Sequence, residues 1–239
     1  MALDGITDYS EGRLTARPAL ASGDLLEPGL HKLGLGDAVR DGLIYVPDAG
    51  GPRPLMLVLH GATMKAEWMA RPLVAAADDA GLIMVIPDSR ELGTTWDVLV
   101  GGYGPDVAYC DAALEYAFAH CNVSPTQISI GGISDGASYA LSLGIMNGDL
   151  FEAIVAWSPG FLAPKTQVGT PRVFLSHGTQ DSVLPIDRCG RPIAVGLHNN
   201  GYEVEYIEFN GGHEMPDPII RASFGWLTDP QTWAGKGTQ

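Results

Sequence analysis

The chain has 239 residues, 46% of them hydrophobic, with a formal net charge of −14 from 28 acidic and 14 basic residues. That length suits one α/β domain able to bury a core without disulfide or metal staples. The negative excess repels phosphate backbones and anionic lipids, so partnership with nucleic acid or a membrane surface is disfavoured.

Residues 1–30 mix glycine, proline and charge and read as an arm laid over the surface; the catalytic domain is expected over 31–239. H-K-L-G-L-G and D-G-L-I-Y-V-P-D then suggest two short strands joined through residues 37–41 as a hairpin. L-M-L-V-L-H-G, residues 55–61, is a continuous apolar run without alternation, the mark of a parallel strand buried on both faces. A helix is predicted over 65–80, with Trp68, Met69, Leu73, Val74 and Ala77 as its apolar stripe and Gly81 closing it. L-I-M-V-I-P-D-S is another buried strand, and Pro105 opens a helix through His120 that Asn122 and Pro125 end. Residues 128–133 form a strand, and Asp135 to about Met146 a helix. A-I-V-A-W-S-P, R-V-F-L-S-H-G and V-E-Y-I-E-F-N are further strands, with helices between the last two and near 218–227. The alternation predicts one α/β domain, a mainly parallel sheet with helices on both faces after an N-terminal hairpin.

The stretch I-G-G-I-S-D-G-A-S sets Ser134 between Gly132 and Gly136, the spacing G-x-S-x-G. With 12 serines and 31 glycines in 239 residues, chance supplies ~0.2 such matches, so position has to strengthen the motif. Position does: Ser134 falls at a strand-to-helix junction, where reactive groups collect beyond the carboxyl ends of a parallel sheet. A serine hydroxyl needs a base, and the base a carboxylate that fixes its tautomer. Strand 172–177 runs into H-G-T-Q-D-S-V-L-P, which offers Asp181, and strand 203–209 into N-G-G-H-E-M-P, which offers His213. The order Ser134, Asp181, His213 is the one this architecture requires. Asp187 is the competing acid, but it falls after Pro185 in the approach to the next helix. The oxyanion donors are expected to be the N–H groups of Asp135 and Ala62, with Thr63 the alternative to Ala62.

These segments, with L-H-G-A-T and T-W-D, resemble the α/β-hydrolase family over about residues 31–228. Within it they are similar to bacterial carboxylesterase/phospholipase-like enzymes and to esterases of the poly(hydroxybutyrate) depolymerase and feruloyl esterase type. The resemblance implies Ser134 as nucleophile, Asp181 as acid and His213 as base, as the spacing does. It departs from the family after H-G, where Ala62-Thr63-Met64 replaces an extended glycine run.

Around this triad, Thr63, Trp96 and Trp157 are the expected substrate-binding residues, since all lie on the reactive edge. His60 and His177 read as structural, His177 because its place before Gly178 suits a structural hydrogen bond. Only about 11 residues separate the strands at 153–159 and 172–177, too few for the helical lid of many lipases. The expected activity is therefore serine esterase chemistry through an acyl-enzyme on short-chain or accessible esters, needing no metal or organic cofactor. A thioesterase, amidase or polyester depolymerase would use the same triad, and a non-catalytic binding module on this scaffold would have lost a member of it.

Cys110 and Cys121 lie 11 positions apart on one helix, about 16 Å along its axis, too far to pair. With Cys189 they make a sparse, odd count, which suggests reduced thiols in a cytoplasmic setting. No C-x-x-C pattern or Cys/His cluster suggests zinc, and the first 20 residues lack the apolar core of a signal peptide.

Overall fold

Eight strands and five helices alternate along the chain in a computed structural model, which describes residues 8–36, 40–90, 95–99 and 102–229. The first seven residues of the expected arm, most of the expected hairpin connection and the last ten residues lie outside that set. The strands are β1 Gly29–Lys32, β2 Gly42–Val46, β3 Arg53–Leu59, β4 Ile83–Pro87, β5 Val123–Ile133, β6 Ala153–Trp157, β7 Arg172–Gly178 and β8 Val204–Phe209. They form one sheet in the order β1-β2-β4-β3-β5-β6-β7-β8. β2 is antiparallel to both β1 and β4, and all later pairings are parallel.

The helices are α1 Ala66–Ala80, α2 Pro105–His120, α3 Asp135–Met146, α4 Gly190–Asn199 and α5 Asp217–Thr228. α1 and α5 cover one face of the sheet; α2, α3 and α4 cover the other. Both faces of the central strands are therefore dry, which is why their sequences run apolar without alternation: Leu55 to Leu59 and all of β4 and β6 are buried. Pro105 takes the first position of α2, where its missing N–H costs nothing, and Gly81 ends α1 in the left-handed conformation at φ 63°.

Two details differ from the sequence reading. Trp68 is not part of the α1 core stripe: it stands 67% exposed, while Met69, Leu73 and Ala77 are buried. Pro125 does not end a helix but lies inside β5, in a bulge: Val123 pairs with Arg53 and Ile128 with Leu55, so the four residues between Val123 and Ile128 face only Pro54. A residue without an N–H is tolerated there since the bulge interrupts the ladder.

The segment before β1 is tied to the helices. Asp111 on α2 accepts the N–H groups of Thr15 and Ala16 and the hydroxyls of Tyr9 and Thr15. Leu14 and Ala16 are each only 2% exposed and belong to the core on the α2–α3 side.

Candidate active site

Among the described residues, three non-glycine positions have positive φ: Thr63 at 64°, Ser134 at 58° and Ser158 at 50°. They fall just past the carboxyl ends of β3, β5 and β6, three neighbouring strands. Backbone strain is thus gathered along one short stretch of the sheet edge, the usual place for pre-organised chemistry.

Ser134 is the residue between β5 and α3, with φ 58° and ψ −120°, half-buried and open to solvent. Its N–H is held by the carbonyl of Trp157 at 2.9 Å, and its carbonyl receives the Ser138 hydroxyl at 3.0 Å. The flanking glycines are required by the end of β3. A Cβ on Gly132 would sit 2.4 Å from the Leu59 carbonyl oxygen, and one on Gly136 only 2.2 Å from it and 2.5 Å from the His60 oxygen. That intimacy brings the turn after β3 against the serine: a Cβ on Gly61 would lie 3.5 Å from Ser134 Cβ.

The turn itself runs through Gly61, Ala62, Thr63 and Met64, closed by Met64 N–H to the Gly61 carbonyl at 3.2 Å. Thr63 takes the left-handed conformation at the third position of this turn. His60 braces it from below, fully buried. Its Nε2 accepts the Ser89 N–H at 3.1 Å, so Nδ1 carries the proton and donates to the Gly61 carbonyl at 2.8 Å. Burial lowers its pKa, which suits that neutral form. The Ala62 and Thr63 N–H groups have no acceptor among the described residues, and the Asp135 N–H is the first of α3, where no intrahelical partner exists.

Asp181 and His213 meet across the loops that follow β7 and β8. His213 Nδ1 is 2.7 Å from Asp181 Oδ2. Asp181 Oδ1 accepts the N–H groups of Val183 at 2.9 Å and Leu184 at 2.8 Å. Burial by itself would raise this carboxyl; the Leu184 N–H, His213 and the Val183 N–H together hold it below its ordinary value. The two loops close because residue 178 is glycine: a Cβ there would strike the carbonyl oxygens of Gly212 at 2.2 Å and Gly211 at 2.5 Å. The rival acid Asp187 lies on the surface paired with Arg191. Ser134 Oγ and His213 Nε2 have no hydrogen-bond partner among the described residues, so the structure joins acid to histidine but not histidine to serine.

Two expected substrate contacts are corrected. Trp96 is 1% exposed and Trp157 fully buried. Trp96 lies beneath the edge: its Nε1–H donates to the His60 carbonyl at 2.8 Å and its ring stacks on Tyr139 at 5.3 Å. Trp157 faces α5, its ring 6.1 Å from Phe224. A strand-end aromatic can point along the edge or into a face, and the helices on these faces claimed both rings. Thr63 is exposed, in the turn that Gly61 brings against Ser134.

Two further side chains brace this edge. Thr95 donates its hydroxyl to the Asp135 carboxylate at 2.8 Å, and Ser138 Oγ receives the N–H groups of Gly160 and Phe161. Thr95 stands in the T-W-D stretch and Ser138 one turn after the nucleophile position, but neither partner is near in sequence. A cavity of about 510 Å³ opens at the far end of α3, lined by Ile145, Leu162, Ile193 and Tyr202, and none of Ser134, Asp181 and His213 lines it.

No protein-family model matches the chain. It is 28% identical over 122 residues to Feruloyl esterase B of Neurospora crassa, covering 48% of this chain and 42% of that protein. It is also 28% identical over 177 residues to a provisionally named esterase, NocK, of Nocardia uniformis, covering 70% of this chain and 48% of that protein. The chain thus spans less than half the length of these curated relatives. Among solved structures, the Staphylococcus aureus fluorophosphonate-binding serine hydrolase F superposes with a TM-score of 0.68 at 14% identity, covering 85% of this chain and all of that one. With the sheet order, this likeness shows the α/β-hydrolase fold.

Proposed function

We propose that this chain is a serine-dependent carboxylic-ester hydrolase. The observation that carries the reading is the strained Ser134, half-open at the strand-to-helix turn, on the same sheet edge as a carboxylate-bound histidine whose Nε2 has no partner among the described residues. In this reading Ser134 Oγ attacks the ester carbonyl while His213 Nε2 takes its proton. Asp181 stays ionised, fixes the proton on His213 Nδ1 and balances the imidazolium. The oxyanion is received by the N–H groups of Ala62 and Asp135, each worth about 3–4 kcal/mol in the transition state. His213 returns the proton to the leaving alcohol, then activates water to release the acid from the acyl-enzyme. The missing Ser134–His213 hydrogen bond is of the kind that tightens when substrate binds.

Short or accessible esters are the proposed substrates. Residues 160–170 carry no helix and lie along α3, held by Ser138 and Ser142, so they supply no lid. The likeness to a feruloyl esterase adds bulky aromatic acids to the candidates. A reducing, cytoplasmic setting is supported by three free, buried cysteines, and no described helix is long and apolar enough to cross a membrane.

The test is hydrolysis of p-nitrophenyl acetate, butyrate, octanoate and palmitate, with methyl ferulate and matched thioester and amide substrates. Wild type should favour the short or aromatic oxygen esters, and Ser134→Ala should be inactive. Full turnover by that variant would overturn the reading; activity confined to long chains would overturn the open-site part of it.

A further inference from the structure

His177 is a second histidine on the Asp181 carboxylate, outside the Ser134–His213–Asp181 set. It is the last residue but one of β7, fully buried, with Nε2 2.7 Å from the Leu184 carbonyl oxygen and 3.2 Å from Asp181 Oδ2. A carbonyl can only accept, so the His177 proton is on Nε2. Leu184 also gives its own N–H to Asp181 Oδ1 at 2.8 Å. One peptide residue therefore links the two side chains: its carbonyl is fixed by His177 and its N–H fixes the carboxylate. The other ring nitrogen, Nδ1, is buried with no partner among the described residues, against Gly190, where a Cβ would come within 2.6 Å of it. A residue serving only to fill this space would carry no polar atom to leave unpaired there. Both polar contacts of the ring are made by Nε2, the shorter to the Leu184 carbonyl that closes the turn around Asp181 and the longer to Asp181 Oδ2 itself.

We propose that His177 is a positioning residue: its Nε2–H locks the 181–184 turn so that Asp181 offers Oδ2 to His213 at hydrogen-bonding distance. The proposal rests on the esterase reading above. It predicts a role in turnover and not in substrate affinity, since His177 is enclosed and touches no solvent.

The experiment compares wild type, His177→Asn, His177→Gln and Ser134→Ala on p-nitrophenyl acetate. Glutamine carries its amide nitrogen three bonds from Cβ, as histidine carries Nε2; asparagine carries it two bonds away, at the place of Nδ1. His177→Asn should lower kcat about tenfold with KM changed by less than about twofold, and His177→Gln should recover at least about half of the wild-type kcat. Wild-type kcat in the asparagine variant, or an equal fall in both, overturns the proposal while the loss of activity in Ser134→Ala keeps the esterase reading intact. Activity surviving in Ser134→Ala overturns that reading instead. Should His177→Asn not fold, ¹⁵N NMR of the wild-type imidazole decides: a proton on Nε2 is required, and one on Nδ1 overturns the proposal.

Discussion

Asp181 Oδ2 and His213 Nδ1 are 2.7 Å apart although 32 positions separate them in the chain, and the Asp181 side chain is wholly shielded from water while 18% of the His213 side chain is exposed. A carboxylate so placed can impose a tautomer on the imidazole without being reached by substrate. Asp181→Asn keeps the shape and turns an acceptor into a donor, which forces the proton from Nδ1 to Nε2. The expected loss in kcat is about three to four orders of magnitude. Steady-state kinetics with p-nitrophenyl acetate checks it; a loss below tenfold would remove Asp181 from its assigned role.

Ser134 holds φ 58° and ψ −120°, a conformation costing of order 1–3 kcal/mol in a residue with a Cβ. Ser134→Gly relieves it and Ser134→Ala does not. Both should be inactive, but the glycine variant should melt ~2–4 °C above the alanine variant, the shift that ~1 kcal/mol produces in a domain of this size. Equal melting temperatures would show that the strain is not stored at this residue.

Gly136→Ala drives a Cβ to 2.2 Å from a backbone oxygen of β3, which no rotamer change can relieve. It should lose about 3 kcal/mol or more, or fail to fold. Gly196, inside α4 with nothing within 4 Å of its Cβ position, is the control. Gly196→Ala should gain about 0.5–1 kcal/mol. Urea titration of both variants measures the contrast.

Asp106 and Asp97 are buried under the edge, each carboxylate accepting the other residue's backbone N–H, and Tyr139 donates its hydroxyl to Asp97 at 2.7 Å. Burial pushes Asp106 up to about 7 from 3.8, with the Asp97 charge adding to the rise. The folded chain therefore holds a proton there that the unfolded chain has lost. This makes the group's contribution to stability fall as pH rises from about 4 to about 7, then level off. Asparagine does not titrate, so the melting temperature of Asp106→Asn minus that of wild type should climb between those pH values and flatten above them. A difference independent of pH would place the Asp106 titration near its ordinary value.

The triad candidates were legible because each sits in a strand-end segment whose chemistry is local: glycine-flanked serine, aspartate after H-G, histidine after G-G. The tryptophans were not legible in the same way. Nothing in the residues beside Trp68, Trp96 and Trp157 separates them, yet one is 67% exposed and two are enclosed. The difference comes from which side of an element each ring leaves and what another part of the chain has put there: Tyr139 over Trp96, Phe224 over Trp157. The link from His177 through Leu184 to Asp181 was equally silent, since H-x-x-x-D spacing does not say which nitrogen points where.

Local patterning by itself determined the alternation of strands and helices, the parallel sheet and the order Ser134, Asp181, His213, because burial on two faces, turn chemistry and a tight elbow each need particular residue types within a few positions. Tertiary structure decided the rest: the closeness of β3 to Ser134, the meeting of the Asp181 and His213 loops over Gly178, and the burial of the two edge tryptophans. Those depend on backbones that approach to within one missing Cβ of each other, a distance set by packing between segments far apart in the chain.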